Sequence, residues 1–213
     1  MNLPTKITVT RIVCTVLMIA TLFVLYLCGD KISTPTLGNS KINLIFLIIF
    51  VFFLIASYTD HLDGKLARKN NQVTSLGKFL DPVADKLLVS SMMLFLTAPG
   101  ILAPYAVEQN VNISIWCVIV MIVRDVAIDA IRQIAAAKGA VIAANKVGKL
   151  KTVLQMVAIS AVLLNDFPFH YIYGNIDPRL TVSSFLVYLA TAVSVISLIF
   201  YIVQNKKVLV DKK

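Results

Sequence analysis

Residues 60–85 read DHLDGKLARKNNQVTSLGKFLDPVAD and set four carboxylates, Asp60, Asp63, Asp81 and Asp85, between two long apolar runs, one starting near Ile42 and the other continuing to Ala98. One aspartate beside an apolar run is ordinarily a helix cap or a solvated charge. Four of them against apolar segments of near-membrane length are not, because carboxylates at shallow depth in a bilayer are costly and mark functional sites. In a helix, Asp60, Asp63, Gly64, Ala67 and Arg68 fall at i, i+3, i+4, i+7 and i+8 and share a face. Gly77, Asp81 and Asp85, at i, i+4 and i+8, share a face of a second helix. If the polar link 69–76 folds the two back antiparallel, the carboxylates converge on one small volume. Four negative charges that close repel strongly, so the expected occupants are one or two hard divalent cations with oxygen ligands.

The remainder of the chain supports a membrane setting. Of its 213 residues 58% are hydrophobic, and they come in long runs rather than amphipathic stripes, which predicts an all-α integral membrane protein rather than a soluble core. No linker, repeat or low-complexity segment divides it, so a single domain over 1–213 is expected. Six transmembrane helices are predicted, over about 8–28, 42–68, 77–98, 113–137, a fifth ending near 164, and 180–203, after a short interfacial segment at 1–7.

A net charge of +9 could indicate nucleic acid, but the distribution of Lys and Arg excludes that partner. With an inner N-terminus, the outer segments hold only Lys31, Lys41 and Arg179 of the 20 Lys and Arg residues. The positive-inside rule then places both termini in the cytoplasm. Cys14, Cys28 and Cys117 have no paired spacing, so neither a disulfide nor a metal site is expected from them. Leu27 before Cys28 and the lack of a small-residue cleavage pattern argue against a lipidation site or signal peptide.

The ordered pattern D-x2-D-G-x2-A-R-x8-G-x3-D-x3-D, complete here from Asp60 to Asp85, resembles the signature of the CDP-alcohol phosphotransferases. Eight fixed positions give a chance occurrence on the order of one in a billion per starting point. The resemblance implies an integral membrane enzyme that moves a phosphoalcohol or phosphatidyl group from a CDP-linked donor to an alcohol, with Mg2+ or Mn2+, two ions, as cofactor. It implies that Asp60, Asp63 and Asp81 are metal ligands and that Asp85 both helps hold metal and, as the catalytic base, takes the proton of the acceptor hydroxyl. It further implies a donor-binding surface of Asp63, Gly64, Ala67, Arg68 and Gly77, and a homodimer. Read from the residues alone, Arg68 either forks onto a phosphate or pairs with one of the aspartates.

The predicted fourth span carries Arg124, Asp125, Asp129 and Arg132, and must face the bundle interior or a wet cavity. Asp125 and Asp129 could pair with Arg132 along that helix. A cytoplasmic turn with Lys138, Gly139, Lys146, Gly148, Lys149, Lys151 and Thr152 is expected next. Those lysines suit an anchor for anionic lipid headgroups and equally a rim for the cavity that holds the aspartates. Arg124, Arg132, Lys146, Lys149 and Lys151 together suggest an acceptor that bears its own phosphate.

R-D-x6-R-Q from Arg124 and G-K-L-K-T-V-L-Q from Gly148 resemble the branch of the family whose acceptor is glycerol 3-phosphate. The reaction this resemblance implies joins CDP-diacylglycerol and glycerol 3-phosphate to give phosphatidylglycerophosphate and CMP. It is set at the cytoplasmic face of a bacterial plasma membrane among membrane lipids. Inositol phosphate or a cardiolipin-type acceptor is the alternative within the family. A divalent-cation transporter is the alternative outside it, opposed by the lack of an acidic ladder through the outer halves of the spans. Arg11, near the start of the first span, either snorkels to headgroups or faces the site. His61 and His170 lie in segments assigned to opposite sides, which argues against a histidine pair. The last span, apolar throughout, is assigned a scaffold role.

Overall fold

The computed structural model describes residues 3–27, 42–69, 75–97, 113–139, 146–173 and 177–209. Within these, the side chains of 3–7, 25–26, 60–69, 75–79, 81–82, 85, 146, 170, 173, 178 and 207–209 lie outside the description. Every regular element among the described residues is helical: α1 (Leu3–Leu27), α2 (Leu44–Lys69), α3 (Ser75–Thr97), α4 (Ile115–Ala137), α5 (Lys146–Leu163), the short α6 (His170–Tyr173), a 3-10 turn at Pro178–Leu180, and α7 (Val182–Leu209). The six long helices coincide with the six predicted spans to within a few residues, except at three ends.

At the first, α1 begins at Leu3, so 3–7 form the opening turns of the helix rather than a separate interfacial segment. Pro4 permits this, because the first helical turn needs no N–H from it. At the second, α5 begins at Lys146, so Lys149 and Lys151 stand on a helix and not in the expected turn. What separates α4 from α5 is shorter: Gly139, at φ +72, takes the left-handed conformation that only glycine adopts cheaply, and its N–H closes the end of α4 on the Ala136 carbonyl at 3.0 Å. At the third, α7 runs on to Leu209, past the lysines at 206 and 207.

α3 is central, packing on α1, α2, α4 and α5, while α7 lies on α4 and α5 and α1 lies on α2 and α3. The main apolar core joins these helices through Phe53 of α2, Leu88, Met92 and Met93 of α3, Val118 and Met121 of α4, Ile159 of α5 and Val187 of α7. Gln155 of α5 is buried among them, and its amide nitrogen donates to Met121 Sδ at 3.1 Å and more weakly to Met93 Sδ at 3.6 Å. A polar amide thus ties α5 to α4 and α3.

Many large apolar side chains also lie on the exterior. Phe53 is fully buried, yet its neighbours Phe52 and Ile55 are each 55% exposed, and Trp116, Val123, Val126, Phe185 and Phe200 also face outward. Arg11, Arg124, Lys151, Ser194 and Ser197, by contrast, are inside. Among the described residues one segment, Val182–Lys206, is by itself long and apolar enough to cross a membrane; the apolar parts of α1, α2 and α3 are shorter, at Thr8–Val24, Leu44–Thr59 and Lys86–Thr97.

Candidate functional site

A cavity of about 210 Å³ opens where the second half of α4, the first turns of α5 and the second half of α7 meet, with Lys86 of α3 on its edge. Its wall carries Lys86, Arg124, Arg132, Lys149 and Lys151 against two carboxylates, Asp125 and Asp129. Among the described residues, five cations against two anions leave a surplus of three positive charges.

The cations are held in different ways. Lys151 donates to both oxygens of Asp125, at 2.8 and 2.6 Å, and Arg124 Nη1 donates to Oδ1 of the same carboxylate at 2.8 Å. Arg124 Nη2 reaches across to Ser197 Oγ of α7 at 2.5 Å. The side chains of Arg124 and Lys151 keep only 9% and 5% exposure. Buried charges of this kind are stable only as a hydrogen-bonded set, since removal of one member leaves an uncompensated charge. Gly148 belongs to the same corner: a Cβ there would lie 3.6 Å from Arg124 Nη2, an ordinary contact, so the glycine keeps room beside the guanidinium without being obligatory.

Arg132 is organised from α7. Its Nε donates to Tyr201 Oη at 3.0 Å and its guanidinium carbon sits 5.7 Å from the centre of the Tyr201 ring. With Nε occupied and one face near the ring, the two terminal nitrogens are the donors left for a ligand. Asp129 forms an ion pair with Lys86 of α3, both about one-third exposed. Lys149 is exposed and has no ion pair among the described residues. The intrahelical pairs expected of Asp125 and Asp129 with Arg132 are therefore replaced by links to other helices. The physical reason is geometric: α5 and α3 bring lysines to the carboxylates, and α7 brings a phenol to Arg132.

Of the sequence-predicted acceptor residues, Arg124, Arg132, Lys149 and Lys151 come together in one wall, while the side chain of Lys146, the first residue of α5, lies outside the description. Asp60, Asp63, Gly64, Ala67 and Arg68 stand on the last turns of α2, and Gly77, Asp81 and Asp85 on the first turns of α3. Those helices pack on each other, and their motif side chains lie outside the description. Among the described residues no three His, Cys, Asp or Glu gather as a metal-holding group, and the motif aspartates are not among the side chains described. By chemistry the donor set fits Mg2+ or Mn2+, since it offers only carboxylate oxygens from adjacent turns of two packed helices.

Arg11, for which snorkelling and the site were both open, is 2% exposed in α1, which packs on the two motif-bearing helices α2 and α3. It lies in the interior and does not reach outward. Sequence reasoning missed Ser197 and Tyr201, having read the last span as scaffold. Their i, i+4 spacing on one face was the available signal.

A family model, CDP-alcohol phosphatidyltransferase, matches residues 1–203. The chain belongs to this family. A relative in Bacillus subtilis (strain 168), a CDP-diacylglycerol–glycerol-3-phosphate 3-phosphatidyltransferase, is 41% identical over 171 residues, 80% of this chain and 81% of that protein. One of the same name in Mycoplasma pneumoniae is 33% identical over 214 residues, 97% of this chain and 88% of its own. A cardiolipin synthase (CMP-forming) of Oryza sativa subsp. japonica is 30% identical over 208 residues but is covered over only 56% of its length. In this family member, as the sequence predicted, the complete aspartate motif falls on two packed helices, α2 and α3, whereas the basic cluster stands on their neighbours α4 and α5, its lysines on a helix and not in the expected turn.

Proposed function

We propose that the protein transfers the phosphatidyl group of CDP-diacylglycerol to glycerol 3-phosphate, releasing CMP and forming phosphatidylglycerophosphate. The observation that carries this reading is the cationic cavity: a surplus of three positive charges among the described residues of its wall suits an acceptor with its own phosphate. The names of the bacterial relatives point the same way.

In this reading the hydroxyl oxygen of glycerol 3-phosphate attacks the phosphorus esterified to diacylglycerol. The bond from that phosphorus to the oxygen bridging to CMP breaks, and CMP leaves with the electron pair. Asp85 takes the hydroxyl proton, which requires hydrogen-bond reach to that hydroxyl. Asp60, Asp63, Asp81 and Asp85 would hold two Mg2+ or Mn2+ ions, whose chemistry is to neutralise charge developing on the diphosphate. Asp63, Gly64, Ala67, Arg68 and Gly77 bind the CDP head. Arg132 and Lys149, with Arg124, Lys151 and Lys146 around them, receive the acceptor phosphate.

The same reading makes the chain one membrane domain of six spans, α1 to α5 and α7, with both termini and the cavity on the cytoplasmic side of a bacterial plasma membrane. It works as a homodimer. The outward Phe, Ile, Val and Trp side chains then face lipid, and the donor's acyl chains stay among membrane lipids while its head reaches water.

The test is CMP release by purified, detergent-solubilised protein given CDP-diacylglycerol and Mg2+, with glycerol 3-phosphate, inositol phosphate, phosphatidylglycerol or no acceptor in parallel. Release only with glycerol 3-phosphate is expected. Release only with phosphatidylglycerol would move the protein to the cardiolipin-forming reaction named for the rice relative, and no release with any acceptor would refute phosphotransfer.

A further inference from the structure

The cations of the cavity wall are fixed by unlike partners. Arg124 and Lys151 are buried and share the Asp125 carboxylate, which holds them in place and offsets part of their charge. Arg132 is exposed, and both of its described contacts are to one neutral residue: Nε donates to Tyr201 Oη at 3.0 Å, and the guanidinium carbon lies 5.7 Å from the centre of that ring. Tyr201 itself is fixed. It is 2% exposed and packs with Ile128 and Ile131 of α4 and Leu198 of α7, so its hydroxyl is carried by a ring with no room to swing. An anchored phenol of α7 thus holds an exposed arginine of α4 at the cavity wall, which both residues line.

We propose that Tyr201 is a positioning residue of the acceptor site: its hydroxyl holds Arg132 at Nε, so that the two terminal nitrogens meet the acceptor's phosphate already ordered and with their full charge. The proposal rests on the phosphotransfer reading above, in which Arg132 receives that phosphate. Arginine has several rotatable bonds, and an unheld side chain must be ordered when the ligand binds, which weakens binding. A hydroxyl removes most of that cost and neutralises nothing. A carboxylate at the same place would order the guanidinium equally well, but its charge would oppose the incoming phosphate. Engagement of Nε also selects which edge is presented. The edge formed by the two terminal nitrogens is left, and it matches two oxygens of one phosphate.

The test is a double-mutant cycle of Tyr201→Phe and Arg132→Ala in the CMP-release assay, with glycerol 3-phosphate varied and inorganic phosphate as competitor. Phenylalanine keeps the buried ring and removes only the hydroxyl. Tyr201→Phe is expected to raise the KM for glycerol 3-phosphate by about threefold to tenfold, the range for ordering one such side chain, and to weaken inhibition by inorganic phosphate by about the same factor. The kcat and the KM for CDP-diacylglycerol should stay within about twofold, with the unfolding temperature in detergent unchanged. In the Arg132→Ala background the same substitution should change the acceptor KM and the phosphate inhibition by less than about twofold, because the phenol acts through the arginine.

A merely structural role would lower the unfolding temperature and raise both KM values whether or not Arg132 is present, and that pattern overturns the proposal. So does a Tyr201→Phe enzyme with wild-type acceptor KM and wild-type phosphate inhibition. A loss of equal size in the Arg132→Ala background also overturns it, since the hydroxyl would then act on the phosphate directly. If Tyr201→Phe yields no folded protein, Tyr201→Met fills the apolar space without a hydroxyl and carries the same expectations. A wild type that releases no CMP with glycerol 3-phosphate refutes the reaction and this role with it. An active wild type whose acceptor KM is indifferent to the hydroxyl refutes the role alone.

Discussion

Asp125 and Asp166 are two shielded aspartates at opposite ends of α5, satisfied in opposite ways. Asp125 is held by two cationic side chains. Asp166, 1% exposed in the turn after α5, accepts from backbone amides at the start of α7, Val182 N at 3.1 Å and Ser183 N at 2.9 Å. Asn165 and Asp166 reach that position through left-handed backbone, φ 52 and 59, which Asn and Asp tolerate better than most residues. Between Lys151 and Asp166 lies most of α5, about 20 Å at 1.5 Å per residue, so the two carboxylates serve opposite ends. The amide-bound one completes a helix end, where a negative charge meets the positive end of the dipole. The cation-bound one fixes side chains whose charge is useful only to a ligand. On the proposed function, polarity inside this bundle thus serves stability at one end and chemistry at the other.

Substitutions can break that division or sharpen it. The largest expected effect is from Asp85→Asn at the chemical end. It should cut CMP release by about a thousandfold, a typical share for a general base, while the unfolding temperature in detergent stays at the wild-type value. Retention of near-normal rate would remove Asp85 from its proposed role. Lys149→Ala comes next: the KM for glycerol 3-phosphate should rise about tenfold with the KM for donor little changed, as expected for loss of one charge-assisted contact. An unchanged acceptor dependence would count against a phosphate contact there.

A smaller effect is expected across the α3–α4 boundary. Lys86→Asp and Asp129→Lys should each slow transfer by about threefold to fivefold, in keeping with a partly exposed pair, and the double variant should recover part of the loss. Additive losses in the double variant would show that the pair does not act as a unit. The smallest effect on catalysis is predicted for Asp166→Ala. It should destabilise the fold by about 1–2 kcal/mol through loss of the α7 cap, yet leave the rate per folded molecule unchanged. A change in kcat there would break the separation of the two ends.

The helices were legible because each apolar run is long and each interruption polar. The divided runs at α2 and α3 were legible too, since Asp60 to Asp85 form a complete spaced pattern. Arg124 and Arg132 could be placed on one helix and Lys149 and Lys151 near them, because charges in such a setting must face inward together. Which anion meets which cation was not legible: Lys86 and Asp129 are distant in sequence, and only the packing of α3 on α4 pairs them. Tyr201 escaped notice for a different reason. A tyrosine in an apolar span ordinarily belongs to the interface, and its hydroxyl became informative only once Arg132 was found 3.0 Å from it. Lys149 and Lys151 were assigned to a turn because glycine and lysines read as a linker, whereas burial of Lys151 under α4 and α7 favours helix there.

In the proposed reaction, the surplus of positive charge among the described residues of the cavity separates the two substrates by how they arrive. The acceptor comes through water as a small anion, so the cavity's field draws it in from about a Debye length away, roughly 8 Å at physiological ionic strength. The donor comes by lateral diffusion within the bilayer, where that long-range attraction through water has little part. Added salt should therefore raise the apparent KM for the acceptor and leave that for the donor nearly unchanged, a divergence readable in one titration with sodium chloride. On the proposed function, the cavity wall would make ionic strength a control on one arm of a two-substrate reaction.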